Sequence, residues 1–188
     1  DNVPPVNFSS VSRYTRTAIT LHWLIALMII VNFGLGLTMV EMTLSPQKLK
    51  FFSWHKWVGV TIFMLVCLRL LWRLGHAAPA LPASMPAWQV RSAHWSHVLL
   101  YVLMFVIPLS GWLFSSAAGK PVVYLGLIAL PDLVAADKGL AETLKEVHEY
   151  LNFTLAAFVL LHIAAAWKHH LVDRDDVMSR ILPFLAKK

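Results

Sequence analysis

Four long apolar stretches divide the chain, and short polar or proline-bearing segments separate them. The stretches are residues 18–39, 54–74, 94–115 and 148–168. Each is about 20 residues long with few charges, which is the length that a helix needs to cross the hydrocarbon core of a bilayer. The pattern predicts an all-α fold, an integral membrane four-helix bundle, with residues 1–188 forming a single domain.

The segments outside the first two spans are polar or rich in helix breakers. Residues 1–16 form a polar arm without the charged start and short apolar core of a signal peptide, so we expect none there. Residues 41–50 are predicted to be a polar loop. Residues 75–90 contain three prolines, which predict an extended linker.

The second half of the chain contains a longer connection at residues 119–145. Its apolar run, residues 122–131, is too short to span a membrane, so we expect it to lie on the membrane surface or over the mouth of the bundle. Pro108 and Gly111 predict a kink in the third span. Residues 168–188 are charged and are predicted to form a short surface helix.

The composition supports a membrane protein. Hydrophobic residues make up 58% of the chain and charged residues 14%, with a mean hydropathy of +0.64, whereas soluble domains contain about 25% charged residues. The net charge is +6, but no basic run alternates with aromatic residues, so we expect no nucleic-acid partner. The single cysteine, Cys67, excludes an internal disulfide, and the absence of C-x-x-C-H excludes the usual covalent haem attachment.

The distribution of basic residues predicts the orientation. Four spans place both termini on the same side, and ten of the sixteen lysines and arginines, including all seven arginines, fall on that side. Because loops rich in Lys and Arg stay in the cytoplasm, both termini are predicted to be cytoplasmic.

Four histidines lie inside the spans at two depths. His148 and His162 are fourteen residues apart, which places them on one face of a helix and about 21 Å apart along its axis. His22 lies near the cytoplasmic end of the first span, and His55 lies at the outer end of the second. Topology therefore pairs His22 with His162 on the inside and His55 with His148 on the outside.

Each pair is predicted to hold a haem iron from both faces, giving two b-type haems. A porphyrin needs small neighbours one helical turn from its ligand, and these are Ala18 and Ala26 for His22, Gly59 for His55, and Ala165 and Ala166 for His162. His148 fits less well, since its neighbours are Leu144 and Asn152. Interfacial hydrogen bonding and a histidine-lined metal transporter are the alternatives, although zinc sites usually take three or four ligands and ionisable groups inside spans are functional by default.

More polar residues gather at the cytoplasmic ends of the spans. They predict a quinone site in which imidazoles bind the carbonyl oxygens and pass protons. Its candidate residues are His97, Arg91, Trp95 and His169, with His94 and His170 at the same level. An interfacial belt of histidine and tryptophan is an equal alternative.

Basic side chains near the spans have two further candidate roles. Candidate partners for haem propionates are Arg16, Arg69, Arg73, Arg91 and Lys56, and simple orientation charges are the alternative. Lysines on the outer side are predicted to steer a small anion towards the outer haem, and they are Lys48, Lys50, Lys56 and Lys120.

Motifs along nearly the whole chain resemble the bacterial cytochrome b561 family. They are L-H-W at 21–23, H-x-x-x-G at 55–59, A-H-x-x-H at 93–97, P-x-x-G at 108–111, and H-E-x(12)-H-x-A-A-A at 148–166. The resemblance implies a multi-pass cytochrome of the bacterial inner membrane with two haems, ligated by His22 and His162 and by His55 and His148.

The family includes members that resemble superoxide oxidases, which pass electrons from periplasmic superoxide to ubiquinone. The resemblance therefore implies an oxidoreductase that moves electrons through two haems to ubiquinone, within membrane lipid. The alternative that it implies is a cytochrome b subunit that relays electrons between the quinone pool and a periplasmic or membrane partner, either a dehydrogenase or a soluble cytochrome.

Overall fold

Four long helices form the fold in a computed structural model that describes residues 13–182 and residue 185. They are α1 (Arg16–Glu41), α2 (Pro46–Gly75), α3 (Ala87–Ala117) and α4 (Lys138–Lys168). Each is long and apolar enough to cross a membrane, which confirms the prediction of four long apolar helices. Most of the polar arm predicted for residues 1–16, and most of residues 183–188, lie outside the described part of the chain.

Shorter elements connect and follow these helices. Strands β1 (Val123–Tyr124) and β2 (Ile128–Ala129) form a two-stranded antiparallel hairpin between α3 and α4. A π-helix (His169–Asp173) continues α4, and α5 (Val177–Ile181) follows it. The region predicted as one short surface helix is therefore a π-helical turn and a separate five-residue helix.

Three helices begin well before the apolar pattern predicts, α2 and α4 after capping side chains and α3 at Ala87, inside the predicted linker. Helix α2 begins at Pro46, where Ser45 Oγ accepts a hydrogen bond of 3.2 Å from the Lys48 amide and proline fits the first helical position. Helix α4 begins at Lys138, where Asp137 Oδ1 accepts a bond of 2.8 Å from the Leu140 amide. Apolar residues mark the part of a helix that can lie in lipid, whereas caps decide where the helix starts.

The bundle has two ends. The described chain begins and ends at the end where α1 and α3 start and α2 and α4 finish, and we call this the terminal end. The opposite end, which carries the α1–α2 loop and the β-hairpin, is the distal end. Helix α1 packs on α2, α3 packs on α4, and α2 joins the two pairs by packing on α3.

The core lies between the two ends. One buried cluster contains Ile25, Ile62 and Val66, and a second contains Leu100, Leu103, Ile107 and Leu155. The outward faces are apolar too, with Leu27, Leu71 and Leu160 each at least 60% exposed. Helices that are apolar on the outside suit a lipid environment, where every backbone polar group is satisfied within the helix.

The β-hairpin lies against α2 at the distal end. Trp57 Nε1 donates to the Val123 carbonyl at 2.7 Å, and the Tyr124 and Thr61 hydroxyls are 3.0 Å apart. Val122 is only 4% exposed, whereas Leu127 at the turn is 84% exposed. The apolar run therefore packs over the mouth of the bundle with its tip pointing outward.

Candidate functional site

Two histidine pairs lie at opposite ends of the bundle. At the terminal end, the rings of His22 and His162 have centroids 6.3 Å apart with planes inclined by 53°. At the distal end, the rings of His55 and His148 have centroids 6.2 Å apart with planes inclined by 85°. The fold thus brings together the same two pairs that topology suggests.

Helix α4 supplies one imidazole to each pair. His148 and His162 are separated by fourteen residues, or about 21 Å of helix. Leu155 lies halfway between them on the same face, and it is 6% exposed within the buried cluster of α3 and α4. The two sites are therefore separated by packed apolar side chains.

Hydrogen bonds at the distal pair orient both rings. His55 Nδ1 lies 3.1 Å from the Asn32 carbonyl, which accepts only, so this nitrogen carries the proton. His148 Nδ1 lies 2.9 Å from Ser110 Oγ, and that hydroxyl donates its own hydrogen to the Ile107 carbonyl at 2.8 Å. Ser110 therefore accepts from His148 Nδ1, and both Nε2 atoms are left with a free lone pair, as a metal ligand requires.

Glycines from neighbouring helices lie directly against the distal rings. A Cβ atom added to Gly111 of α3 would lie 2.9 Å from His148 Cε1, and one added to Gly36 of α1 would lie 3.4 Å from His55 Cε1. Space beside the ligands is therefore made by the facing helices, and this includes His148, whose own helix offers only Leu144 and Asn152.

A largely apolar cavity adjoins the distal pair. His55, His148 and Asn32 line it together with Gly59, Gly111 and apolar residues of all four long helices. Lys56 also lines it, and its ammonium group donates to the Lys120 carbonyl at 2.9 Å. An apolar cleft with a few polar groups and one nearby cation is typical of a site for a large, mostly hydrophobic cofactor.

At the terminal pair, Arg69 contacts His22. Its guanidinium donates to the Ala18 carbonyl at 2.6 Å and to the Tyr101 hydroxyl at 3.1 Å, and it lies 3.4 Å from His22 Nδ1. Because guanidinium only donates, His22 Nδ1 acts as an acceptor in this arrangement. Metal ligation through His22 Nε2 requires a proton on Nδ1, and so requires Arg69 to turn away from that ring.

The residues predicted for a quinone site are only partly brought together. The His97 ring lies 5.5 Å from the His162 ring, so His97 belongs to the terminal site. Trp95 is 67% exposed and packs edge-on against His94, and Arg91 is exposed. Among the contacts of the described residues, none joins Arg91 or Trp95 to His97.

His169 lies seven residues beyond His162 on nearly the same face of the helix. Its Nδ1 is 2.6 Å from an Asp175 carboxylate oxygen and 3.3 Å from one of Asp173. Lys168 neutralises Asp173 at 2.6 Å. No motif in the sequence points to these two carboxylates.

The basic residues predicted near the haems take up different positions. Arg69 lies at the terminal pair, and Arg73 lies over the Tyr101 ring at 5.8 Å. Lys56 lies at the distal cavity, while Arg16 is exposed. Of the lysines predicted to steer an anion, Lys48 donates to the Met42 carbonyl at 2.5 Å, and Lys50 and Lys120 are exposed on the distal side.

The spacing of the histidine rings tests whether the pairs fit a shared metal. Two imidazoles that bind one ion through nitrogens at about 2.0 Å hold their ring centres roughly 6 Å apart. The observed 6.2 and 6.3 Å match this spacing, and the distal rings also have the required tautomer. The residues present therefore fit a haem whose iron would be held by the two histidines of each pair, with a rearrangement of Arg69 at the terminal one.

Comparison with known proteins identifies the class to which this fold and these sites belong. Residues 13–184 match the family described as prokaryotic cytochrome b561. The chain belongs to this family of membrane electron-transfer proteins, which implies that it binds b-type haem. The resemblance drawn from the sequence motifs is thereby confirmed.

Curated relatives match along nearly their full length. The chain is 32% identical to cytochrome b561 homolog 2 of Escherichia coli (strain K12) over 178 residues, which are 90% of this chain and 91% of that protein. It is 25% identical to cytochrome b561 homolog 1 of the same organism over 92% of this chain and 98% of that protein. It is 29% identical to the probable superoxide oxidase CybB of Yersinia pestis over 91% of this chain and 96% of that protein.

Proposed function

We propose that the protein binds one haem at each histidine pair and carries electrons across the bacterial inner membrane, from superoxide at the distal end to ubiquinone at the terminal end. The observation that carries this proposal is the pair of ring spacings, 6.2 and 6.3 Å, at opposite ends of one bundle. The likeness to a probable superoxide oxidase supports the choice of electron donor.

The two bound haems would supply reversible one-electron chemistry. Two histidines at each iron would leave no position for dioxygen, so the haems would relay electrons. Ile25, Val66 and Leu155 keep the space between the sites apolar. This packing excludes water, so protons do not follow the electrons through the bundle.

The distal end suits a small anionic donor. Lys56 lines the cavity beside His55 and His148, and Lys120 lies next to it. Two lysines beside a cavity attract a small anion locally. Superoxide needs only to deliver one electron there, so it requires no dedicated binding pocket.

The terminal end suits reduction of a quinone. Two superoxide anions supply one electron each, and one ubiquinone takes up both electrons and two protons from the terminal side. We propose that His97, beside His162, and His169 hydrogen-bond the carbonyl oxygens. Asp173 and Asp175 next to His169 connect its Nδ1 proton to the surface.

The proposed orientation places both termini in the cytoplasm, because the arginines concentrate at the terminal end. We expect Thr143→Cys at the distal end to react with a membrane-impermeant maleimide in spheroplasts. The matched variant Ser84→Cys at the terminal end should react only after the membrane is opened. Both residues are exposed, and both variants are made with Cys67→Ala. The opposite labelling pattern would reverse the proposed direction of transfer.

The donor is tested with purified protein, ubiquinone and an enzymatic source of superoxide. We expect superoxide-dependent reduction of quinone, abolished by superoxide dismutase and by His148→Ala. Protein that contains two haems but reduces no quinone under these conditions would instead be a subunit fed by a partner dehydrogenase or cytochrome. Colourless protein, even after expression with added haem, would contradict both functions and favour a histidine-lined transporter.

A further inference from the structure

Ser110 is a buried hydroxyl whose only polar neighbours among the described residues are His148 and its own helix. It is 5% exposed, accepts from His148 Nδ1 at 2.9 Å and donates to the Ile107 carbonyl at 2.8 Å. His55, the other ring of the distal pair, instead donates to a backbone carbonyl, that of Asn32. The two distal imidazoles therefore differ, because His148 has a side-chain hydroxyl at its Nδ1 in addition to the nearby Ile107 carbonyl.

We propose that Ser110 is a positioning residue that holds His148 in its metal-binding tautomer and lowers the reduction potential of the distal haem. This inference rests on the proposed haem ligation by His148. It assigns a role to a side chain at a position that the P-x-x-G motif leaves unspecified.

The geometry explains how Ser110 could both fix the tautomer of His148 and lower the reduction potential of the distal haem. A hydroxyl can donate or accept, but its single hydrogen is used on the Ile107 carbonyl, so it faces His148 as an acceptor. An acceptor at Nδ1 fixes the proton there and leaves Nε2 to the metal. It also increases the electron density on the imidazole, which stabilises oxidised iron more than reduced iron.

Neighbouring contacts hold the His148 ring in its hydrogen bond to Ser110. Gly111 lies directly behind the ring, where an added Cβ would be 3.3 Å from Nδ1. Asn152 Nδ2 donates to the His148 carbonyl at 2.7 Å, which holds the backbone of the ligand from the next turn. The ring is thus held between α3 and the next turn of α4.

The test compares Ser110→Thr with Ser110→Val in the full-length protein. The two side chains have the same shape, and only Thr keeps the hydroxyl, so any steric effect of the added methyl group is common to both. Outer-shell partners of a ligand typically change metal affinity by about 10-fold to 100-fold. If the site's preference for oxidised over reduced iron falls by about 10-fold, the one-electron midpoint potential rises by about 59 mV.

Redox titration followed by optical spectroscopy gives one wave for each haem, and the wave that His148→Ala removes is assigned to the distal haem. We expect Ser110→Val to raise that wave by about 59 mV for a 10-fold change, and Ser110→Thr to leave it near the wild-type value. The other wave should not move. Ser116→Ala removes a buried hydroxyl of the same helix whose partners among the described residues are Trp112 and Leu133, so it should shift neither wave.

Equal potentials in the Thr and Val variants would overturn the proposal, as would a shift confined to the terminal haem. Loss of the distal haem in Ser110→Val but not in Ser110→Thr would support the proposal, because the affinity for haem depends on the same hydrogen bond between Ser110 and His148. If both variants lose the haem, Ser110→Ala decides: a raised distal wave supports the role and an unchanged wave overturns it. Retention of both haems in His148→Ala would instead contradict the proposed ligation itself, so the two failures are distinguishable.

Discussion

His148→Ala should lower the haem content from two per chain to one, and His162→Ala should do the same through loss of the other haem. Each substitution removes one imidazole from a pair whose rings are 6.2 or 6.3 Å apart. One histidine would hold the iron more weakly than two. The remaining pair lies about 21 Å away along α4, behind packed side chains, so it should be unaffected.

Haem per protein is measured by the pyridine haemochrome spectrum after purification. The double variant should be colourless. His76→Ala is the matched control, since His76 is exposed and stacks on Trp72 away from both pairs, and it should keep both haems. Loss of both haems in either single variant, or of neither, would contradict the independent pairing.

The terminal end permits a sharper version of this measurement. His97 lies closer to His162 than His22 does, with ring centroids 5.5 Å apart against 6.3 Å. If His22 is the partner of His162, His22→Ala removes the terminal haem and His97→Ala retains it. The reverse result would assign the terminal haem to His97 and would require the roles of α1 and α3 to be exchanged.

Much of the architecture is predictable from the sequence because membrane helices have a simple pattern. The apolar length of each span is set by the bilayer, so four spans can be counted directly. Helix ends are less predictable, because α2 and α4 begin with polar turns whose start is fixed by Ser45 and Asp137. A hydropathy pattern does not include those turns.

The depth of each histidine is also predictable, since 1.5 Å of rise per residue converts sequence spacing into distance along the bundle axis. What surrounds a ring is not predictable in this way. The small residues that face His55 and His148 are Gly36 and Gly111, and both come from a different helix. The spacing of residues on the ligand's own helix does not predict such contacts.

The same reason explains why Ser110 and the carboxylates near His169 were missed. Ser110 lies inside the P-x-x-G motif, where the pattern suggests only a kink, and its contact with α4 depends on how α3 is rotated. Asp173 and Asp175 approach His169 because a π-helical turn follows α4. A uniform period of 3.6 residues does not describe such a turn.

Gly111→Ala should also abolish binding of the distal haem, although alanine is the better helix former. The added Cβ would lie 2.9 Å from His148 Cε1, well inside the carbon–carbon contact distance of about 3.5 Å. The His148 ring would have to move, which would break its bond to Ser110 and its alignment with His55. We therefore expect about one haem per chain, measured as above.

Helix propensity makes this substitution informative. Replacing glycine with alanine inside a helix favours the helix by about 1 kcal/mol, so weaker folding of α3 is not the expected cause of haem loss. Gly34→Ala on α1 gains the same propensity and its Cβ meets nothing within 4 Å, so that variant should keep both haems. Gly36→Ala, with a contact of 3.4 Å to His55, should have an intermediate effect. Two haems in Gly111→Ala would mean that the ring of His148 is free to move without losing iron, which would contradict the close packing of α3 against this ligand.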